Sequence, residues 1–242
     1  MTLSVRVLGS RSPYPTAESP CSGYLVNASG KYVLLDLGLA VWPELLRHVD
    51  PTTLSAIWIS HLHPDHSGDL LAAYQWAANS KDAQPIPIYG PPGWAERLGA
   101  FLPTSDGAAQ VRRLFDVREH TEGNPAQSGN LTMTAVPVTH SVPTWGLRLT
   151  HEGATLAYSA DSGACAALGT LANGADVFIC EAGSADPGAE YHCCPEEAAH
   201  AGRHAHRLVI THLAPGLSPA EASQRAGGVQ VAVPGMQLSV SR

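Results

Sequence analysis

His61-Leu62-His63-Pro64-Asp65-His66 puts four side chains of metal-ligand type into six residues. The stretch follows Ala56-Ile57-Trp58-Ile59-Ser60, an apolar run that reads as a buried strand ending at His61. Residues two apart can point the same way, so His61 and His63 can grip one metal ion. Asp65 and His66, just past the turn that Pro64 starts, can face a second. His-rich loops can be merely solvated, but four ligand-type side chains in six residues behind a buried strand outweigh that reading.

Working outward, other strand ends repeat the pattern. Leu131–Val138 reads as a strand ending near His140. Trp145–Thr150 and Ala154–Ser159 read as a hairpin around His151-Glu152-Gly153, with Asp161 close behind, and Arg207–Ile210 leads to His212. His61, His140, Asp161 and His212 thus fall within about two residues of strand ends, where open α/β sheets present side chains to a shared site. The remaining elements are short. Leu3–Leu8, Gly23–Val26 and Tyr32–Asp36 open the chain as strands. Helices are expected over Trp42–Val49, from Ser67-Gly68-Asp69 to about Ala78, from Pro91-Pro92-Gly93, from Pro195 to about Ala205, and over Pro219–Arg225. In the second of these, Leu70, Leu71, Tyr74 and Ala77 share one face. Ile86–Tyr89, Asp176–Cys180 and Val229–Val233 complete the strands, and Pro137 demands a bulge or an edge position.

The chain has 242 residues, 44% hydrophobic and 14% charged, against the roughly 25% charged share of ordinary soluble domains. No Gly/Ser-rich linker, charge block or repeat divides it, so residues 1–242 read as one domain. Fourteen Lys+Arg against 21 Asp+Glu leave a net charge of −7, and the basic residues are scattered, which argues against long nucleic acid as a partner. No run approaches the length of a membrane span, and the first residues lack the apolar core of a signal peptide, so a cytoplasmic protein is expected. Cys21, Cys165, Cys180, Cys193 and Cys194 are odd in number and lack CxxC spacing, which favours reduced thiols. Twelve histidines are the unusual feature.

HLHPDH, taken with His140, the turn Tyr158-Ser159-Ala160-Asp161-Ser162-Gly163, and Thr211-His212-Leu213, resembles the metallo-β-lactamase superfamily, in the branch of ribonuclease Z and related phosphodiesterases. The likeness runs from about Val5 to Leu213 and includes Asp36-Leu37-Gly38. It implies an α+β fold, a four-layer αββα sandwich. It also implies a ligand scheme: His61, His63 and His140 on one metal, Asp65, His66 and His212 on the other, and Asp161 bridging them. Two divalent ions are expected, and this ligand set suits Zn2+ first and Mn2+ or Fe2+ next. Ala160 stands where relatives usually have glycine, and Ser162 where threonine is common. In that branch a histidine placed like His192 acts on the phosphate or leaving group, so Asp65 and His192 are the expected catalytic residues. Asp65 would orient the attacking water shared by the metals.

Ribonuclease Z enzymes carry a transfer-RNA arm between the counterparts of His140 and Asp161. Here 21 positions separate them, room for one hairpin only. The pattern is most similar to bacterial cyclic-nucleotide phosphodiesterases of the superfamily, through SPCSGYLV, Phe115-Asp116-Val117 and VFICEA. A small-molecule substrate is therefore expected, a 3′,5′-cyclic nucleotide first. Hydrolysis at a carboxyl carbon, as in lactonases and thioesterases, is the alternative, and a one-iron sulfur-redox relative is a third reading. A homodimer is common in the resembling branch. His200 and His204 lack the Glu of a metalloprotease helix pair. His48, His120, His151 and His206 are expected in exposed positions. Gly9, Ser10 and Ser12 could line the pocket. Arg112, Arg113 and Arg118 read as a solvated face, Trp76, Trp94 and Trp145 as core or pocket wall, and Cys193 and Cys194 as packing residues.

Overall fold

A computed structural model of the chain describes residues 3–81 and 83–241; the expected domain limits, residues 1 and 242, lie outside them. Two seven-stranded mixed sheets face each other. The first is built from β1 (Leu3–Gly9), β2 (Gly23–Ala28), β3 (Lys31–Leu35), β4 (Leu54–Trp58), β5 (Ile86–Gly90), β6 (Phe115–Glu119) and, from the far end of the chain, β14 (Gln237–Val240), in the order β14-β1-β2-β3-β4-β5-β6. The second holds β7 (Ala126–Ser128), β8 (Leu131–Pro137), β9 (Trp145–His151), β10 (Ala154–Tyr158), β11 (Val177–Glu181), β12 (Leu208–Thr211) and β13 (Gln230–Val231), in the order β13-β12-β11-β10-β9-β8-β7. β3 to β6 run parallel, as do β10 to β13, and the other pairs are antiparallel.

Side-chain alternation builds the layers. Val33 and Leu35 of β3, Ala56 and Trp58 of β4, and Val177 and Ile179 of β11 point between the sheets. Their neighbours Leu34 and Ile57 point to the helices α1 (Val41–Leu45), α3 (Leu70–Asn79), α4 (Trp94–Gly99) and α5 (Gly107–Leu114), while Phe178 and Cys180 point to α6 (Ala166–Ala172), α7 (Pro195–Ala201) and α8 (Pro219–Arg225). Strands buried on both faces read as continuous apolar runs, which is why Ala56–Ile59 and Val177–Cys180 carry no polar alternation. The result is the expected αββα sandwich.

Pro137 ends β8 beyond the reach of the three-residue β7, where only β9 pairs with it, so the missing N–H faces an open edge. Several expectations change. The helix expected over 42–49 ends at Leu45, and the one from Pro195 gives way at Ala201 to a 3-10 turn, Gly202–His204. Leu71 is exposed, and Ala73 takes the buried place on α3. β6, β7, β14 and α5 have too few apolar residues to stand out by pattern. His120 and His151 are buried rather than exposed. His120 lies 4.0 Å from the Trp58 ring and donates to Ile59 O at 2.8 Å. His151, at the end of β9, pairs with Ser29 Oγ at 3.2 Å. In both cases a local hydrogen bond offsets the cost of burying a polar ring.

Candidate metal centre

The parallel strands of both sheets deliver their C-terminal ends to one edge of the sandwich. His61 follows β4, Asp161 follows β10, Glu181 ends β11 and His212 follows β12, while His140 lies on the loop from β8. The short helix α2 (Pro64–Ser67) begins at Pro64, whose ring suits a first helical turn, and carries Asp65 and His66. All seven expected ligands meet there in two clusters, His61/His63/His140 and Asp65/His66/Asp161/His212. Within each cluster the donor atoms lie within 4.8 Å of one another.

Hydrogen bonds behind the rings decide which nitrogen faces inward. Ser60 Oγ donates to Asp36 Oδ2 at 2.9 Å, so toward His61 it can only accept, from Nδ1–H at 3.0 Å. His61 Nε2 therefore presents a lone pair. His140 Nδ1 donates to Tyr191 O at 2.9 Å, which leaves its Nε2 likewise bare. Both nitrogens approach His63 Nδ1 to 3.1 Å. Three ring nitrogens converging with lone pairs inward repel each other unless a cation or proton sits among them. Burial, the largest cause, pushes the pKa of His61, His63 and His140 down, which keeps them neutral and ligand-ready.

The second cluster is acidic and deeper. Burial disfavours charge on both His66 and Asp161, yet their mutual attraction, with Asp36 and His212 adding to it, outweighs that cost. His66 is pushed well above the ordinary imidazole value, and Asp161 well below the ordinary carboxyl value. Burial likewise disfavours charge on Asp65, and the bond from His212 overcomes it, so its pKa is lowered. His212 Nε2 stands 3.2 Å from Asp65 Oδ2 and 3.3 Å from Asp161 Oδ2. His66 Nε2 and Asp161 Oδ1 face each other as a buried ion pair at 3.1 Å without a well-aligned hydrogen bond. Buried donor atoms so poorly satisfied by one another, in an imidazole and carboxylate set, fit a divalent ion.

Asp36 ties the centre together. Its carboxylate is fully buried and accepts from Ser60 N at 2.7 Å, Ser60 Oγ at 2.9 Å, Tyr158 Oη at 2.7 Å and His66 Nδ1 at 2.7 Å. Glu181 does the same on the other side. Its Oε1 accepts from Ser162 N at 2.9 Å and His192 Nδ1 at 3.1 Å, and its Oε2 accepts from Gly183 N. His192 lies 5.0 Å from the His140 ring and is stacked 5.7 Å from His212. Burial lowers its pKa, but the bond to Glu181 prevails and the net shift is upward. Neither Asp36 nor Glu181 is assigned a role by sequence pattern. Both sit at strand ends like the ligands themselves, and that position is the signal that could have found them.

The backbone is shaped to this purpose. Asp36, Ala160 and His212 have φ of 57°, 55° and 52°, left-handed values that non-glycine residues hold only under tertiary constraint. At Gly38 a Cβ would lie 2.1 Å from Asp65 O, so only glycine allows the two loops to touch. His200 and His204 are exposed and join no ligand cluster among the described residues. Arg112, Arg113 and Arg118 are paired with Glu96, Asp106 and Asp116. Cys193 packs in the core under α7, and Cys194 caps that helix in a box with Glu197.

Residues 18–213 match the beta-lactamase superfamily domain, and the chain belongs to that family, the metallo-β-lactamase superfamily. A protein of Mycobacterium leprae, ML1173, is 36% identical over 226 residues, covering 89% of this chain and 79% of its own. A protein named Ribonuclease Z from Mycolicibacterium paratuberculosis is 32% identical over 251 residues, covering 92% of this chain and 90% of its own. Among solved structures, the metallo-beta-lactamase fold protein YhfI of Bacillus subtilis superposes with a TM-score of 0.87 at 24% identity, over 99% of this chain and 100% of that one. The fold, the His/Asp clusters and the family together make a metal-dependent hydrolase with a binuclear type of centre.

Proposed function

We propose that the protein is a phosphodiesterase for a small phosphodiester, a 3′,5′-cyclic nucleotide first, which it opens to the monophosphate. His61, His63 and His140 would hold one ion, Asp65, His66 and His212 the other, with Asp161 between them; zinc suits the donor set best. Two such ions, when bound, lower the pKa of water and stabilise the entering and leaving oxygens of an in-line displacement. The protein's own residues supply the rest. Asp65 accepts a hydrogen bond from the attacking water through the oxygen turned away from His212, orienting it in line with the phosphorus. His192, with Nδ1 committed to Glu181, offers Nε2 to the departing oxygen and protonates it.

The Glu181-supported His192 beside both clusters is the observation that carries this reading over hydrolysis at a carboxyl carbon, where no such proton donor is required of it. The short stretch of chain from His140 to Asp161 supports a small substrate. β9 and β10 are joined by Glu152-Gly153 alone, both at positive φ as a two-residue hairpin turn requires. No arm projects between His140 and Asp161.

The test is direct: the zinc-loaded protein should contain two metal ions per chain and convert a 3′,5′-cyclic nucleotide to its 5′- or 3′-monophosphate. Turnover of lactones or thioesters, with no cleavage of cyclic nucleotides or bis-aryl phosphates, would overturn it.

A further inference from the structure

Tyr191 stands 38% exposed beside the metal centre, where an aromatic ring gains little from folding. Its ring meets the His140 ring at 6.2 Å and 88°, edge to face. The backbone on either side of that ring is tightly held. Tyr191 O takes the Nδ1–H of His140 at 2.9 Å. The preceding carbonyl, Glu190 O, lies against Gly163, where a Cβ would come within 2.1 Å of it. The next residue is His192, anchored on Glu181 at 3.1 Å. An exposed aromatic face is thus fixed in place next to the residues that would act on the phosphate.

Metal ions held by the His/Asp clusters would grip a phosphate but offer nothing to a flat, uncharged heterocycle. A ring already held at their rim does, because a base can lie on an aromatic face without any matched donor or acceptor. We infer that Tyr191 is the stacking platform for the substrate's base and sets the preference for nucleotides over simple phosphodiesters. The inference rests on the phosphodiesterase reading above. Stacking of one base on one aromatic side chain amounts to about 5- to 150-fold in affinity, and it tolerates different bases, so purines should lead pyrimidines only modestly.

The experiment compares wild type, Tyr191→Ala, Tyr191→Phe and Tyr191→Trp, all zinc-loaded. Calorimetric binding of a purine 5′-mononucleotide is set against binding of ribose 5-phosphate, which lacks the base. In wild type the nucleotide should bind about 10-fold or more tightly, and in Tyr191→Ala the ratio should fall to near one, while Phe and Trp preserve it. With cyclic nucleotide as substrate, Tyr191→Ala should raise KM by a similar factor and leave kcat within about twofold. An unchanged binding ratio in Tyr191→Ala would overturn the inference, as would loss of the ratio in Tyr191→Phe, which would assign the effect to the hydroxyl rather than to the ring. Absence of cyclic-nucleotide cleavage in wild type is a different failure, that of the phosphodiesterase reading, and the binding ratio separates the two.

Discussion

At the scale of single residues, the roles of His192 and Asp36 are separable by what each variant loses. His192→Ala removes the proton donor but no member of either ligand cluster proposed here. Its kcat on a phosphodiester should fall by about 10²- to 10⁴-fold, with two metal ions per chain still found by elemental analysis. A lactone or thioester, if turned over at all, should be spared. Asp36→Ala does the reverse. The carboxylate touches no substrate, but it fixes His66 Nδ1 and, through Ser60, the tautomer of His61. Metal affinity should drop by about 10- to 100-fold, read as competition against a chelator, and excess zinc should restore much of the activity. Asp65→Ala should abolish turnover because it removes both a ligand and the group that orients the water.

At the scale of elements, the centre depends on loops that touch where a side chain would not fit. Gly183 lies under the Glu181–His192 pair, and a Cβ there would come within 2.7 Å of His192 Nδ1. Gly183→Ala should therefore displace His192 and lower kcat while metal content holds, a selective outcome that kinetics and metal analysis together can read. Ala160 presents the opposite case. It holds a left-handed φ of 55° at the turn before Asp161, a conformation that glycine adopts without steric cost. The strain of about 1–2 kcal/mol that glycine would relieve is roughly matched by glycine's larger loss of chain entropy. Ala160→Gly should thus change stability by less than about 1 kcal/mol in chemical denaturation.

At the scale of the whole molecule, a buried group outside the ligand set couples the fold to pH. His120 sits between Trp58 and Trp145 and is pushed down to about 4 by burial. Below pH 6.5 the unfolded chain takes up a proton that the folded state refuses, so stability falls as the pH drops from about 6.5 toward 4. The full effect is about 3 kcal/mol, at 1.36 kcal/mol for each pH unit between those values. In His120→Gln, whose amide can still donate to Ile59 O, the denaturation midpoint of the metal-stripped protein should vary less over that range. Measuring without metal keeps the protonation of the ligand histidines from masking it through metal release.

The segment His61–His66 and its partners at other strand ends were legible in the order of residues, because buried strands announce themselves as apolar runs and the His and Asp residues follow where those runs stop; the layered sandwich followed from the resemblance those motifs carry. Hydrophobic periodicity is local information, and so is the spacing of HLHPDH. What the chain order could not decide is set by groups far apart in sequence. The burial of His120 and His151, the edge strands β6, β7 and β14, the link from Asp36 to His66 across 30 positions and the clamp of Glu181 on His192 all arise from packing. Hydrogen bonds of this kind form only when two sheets close on each other. The ring orientations of His61, His66 and His140, set by hydrogen bonds to Ser60, Asp36 and the Tyr191 carbonyl, were decided by tertiary structure alone.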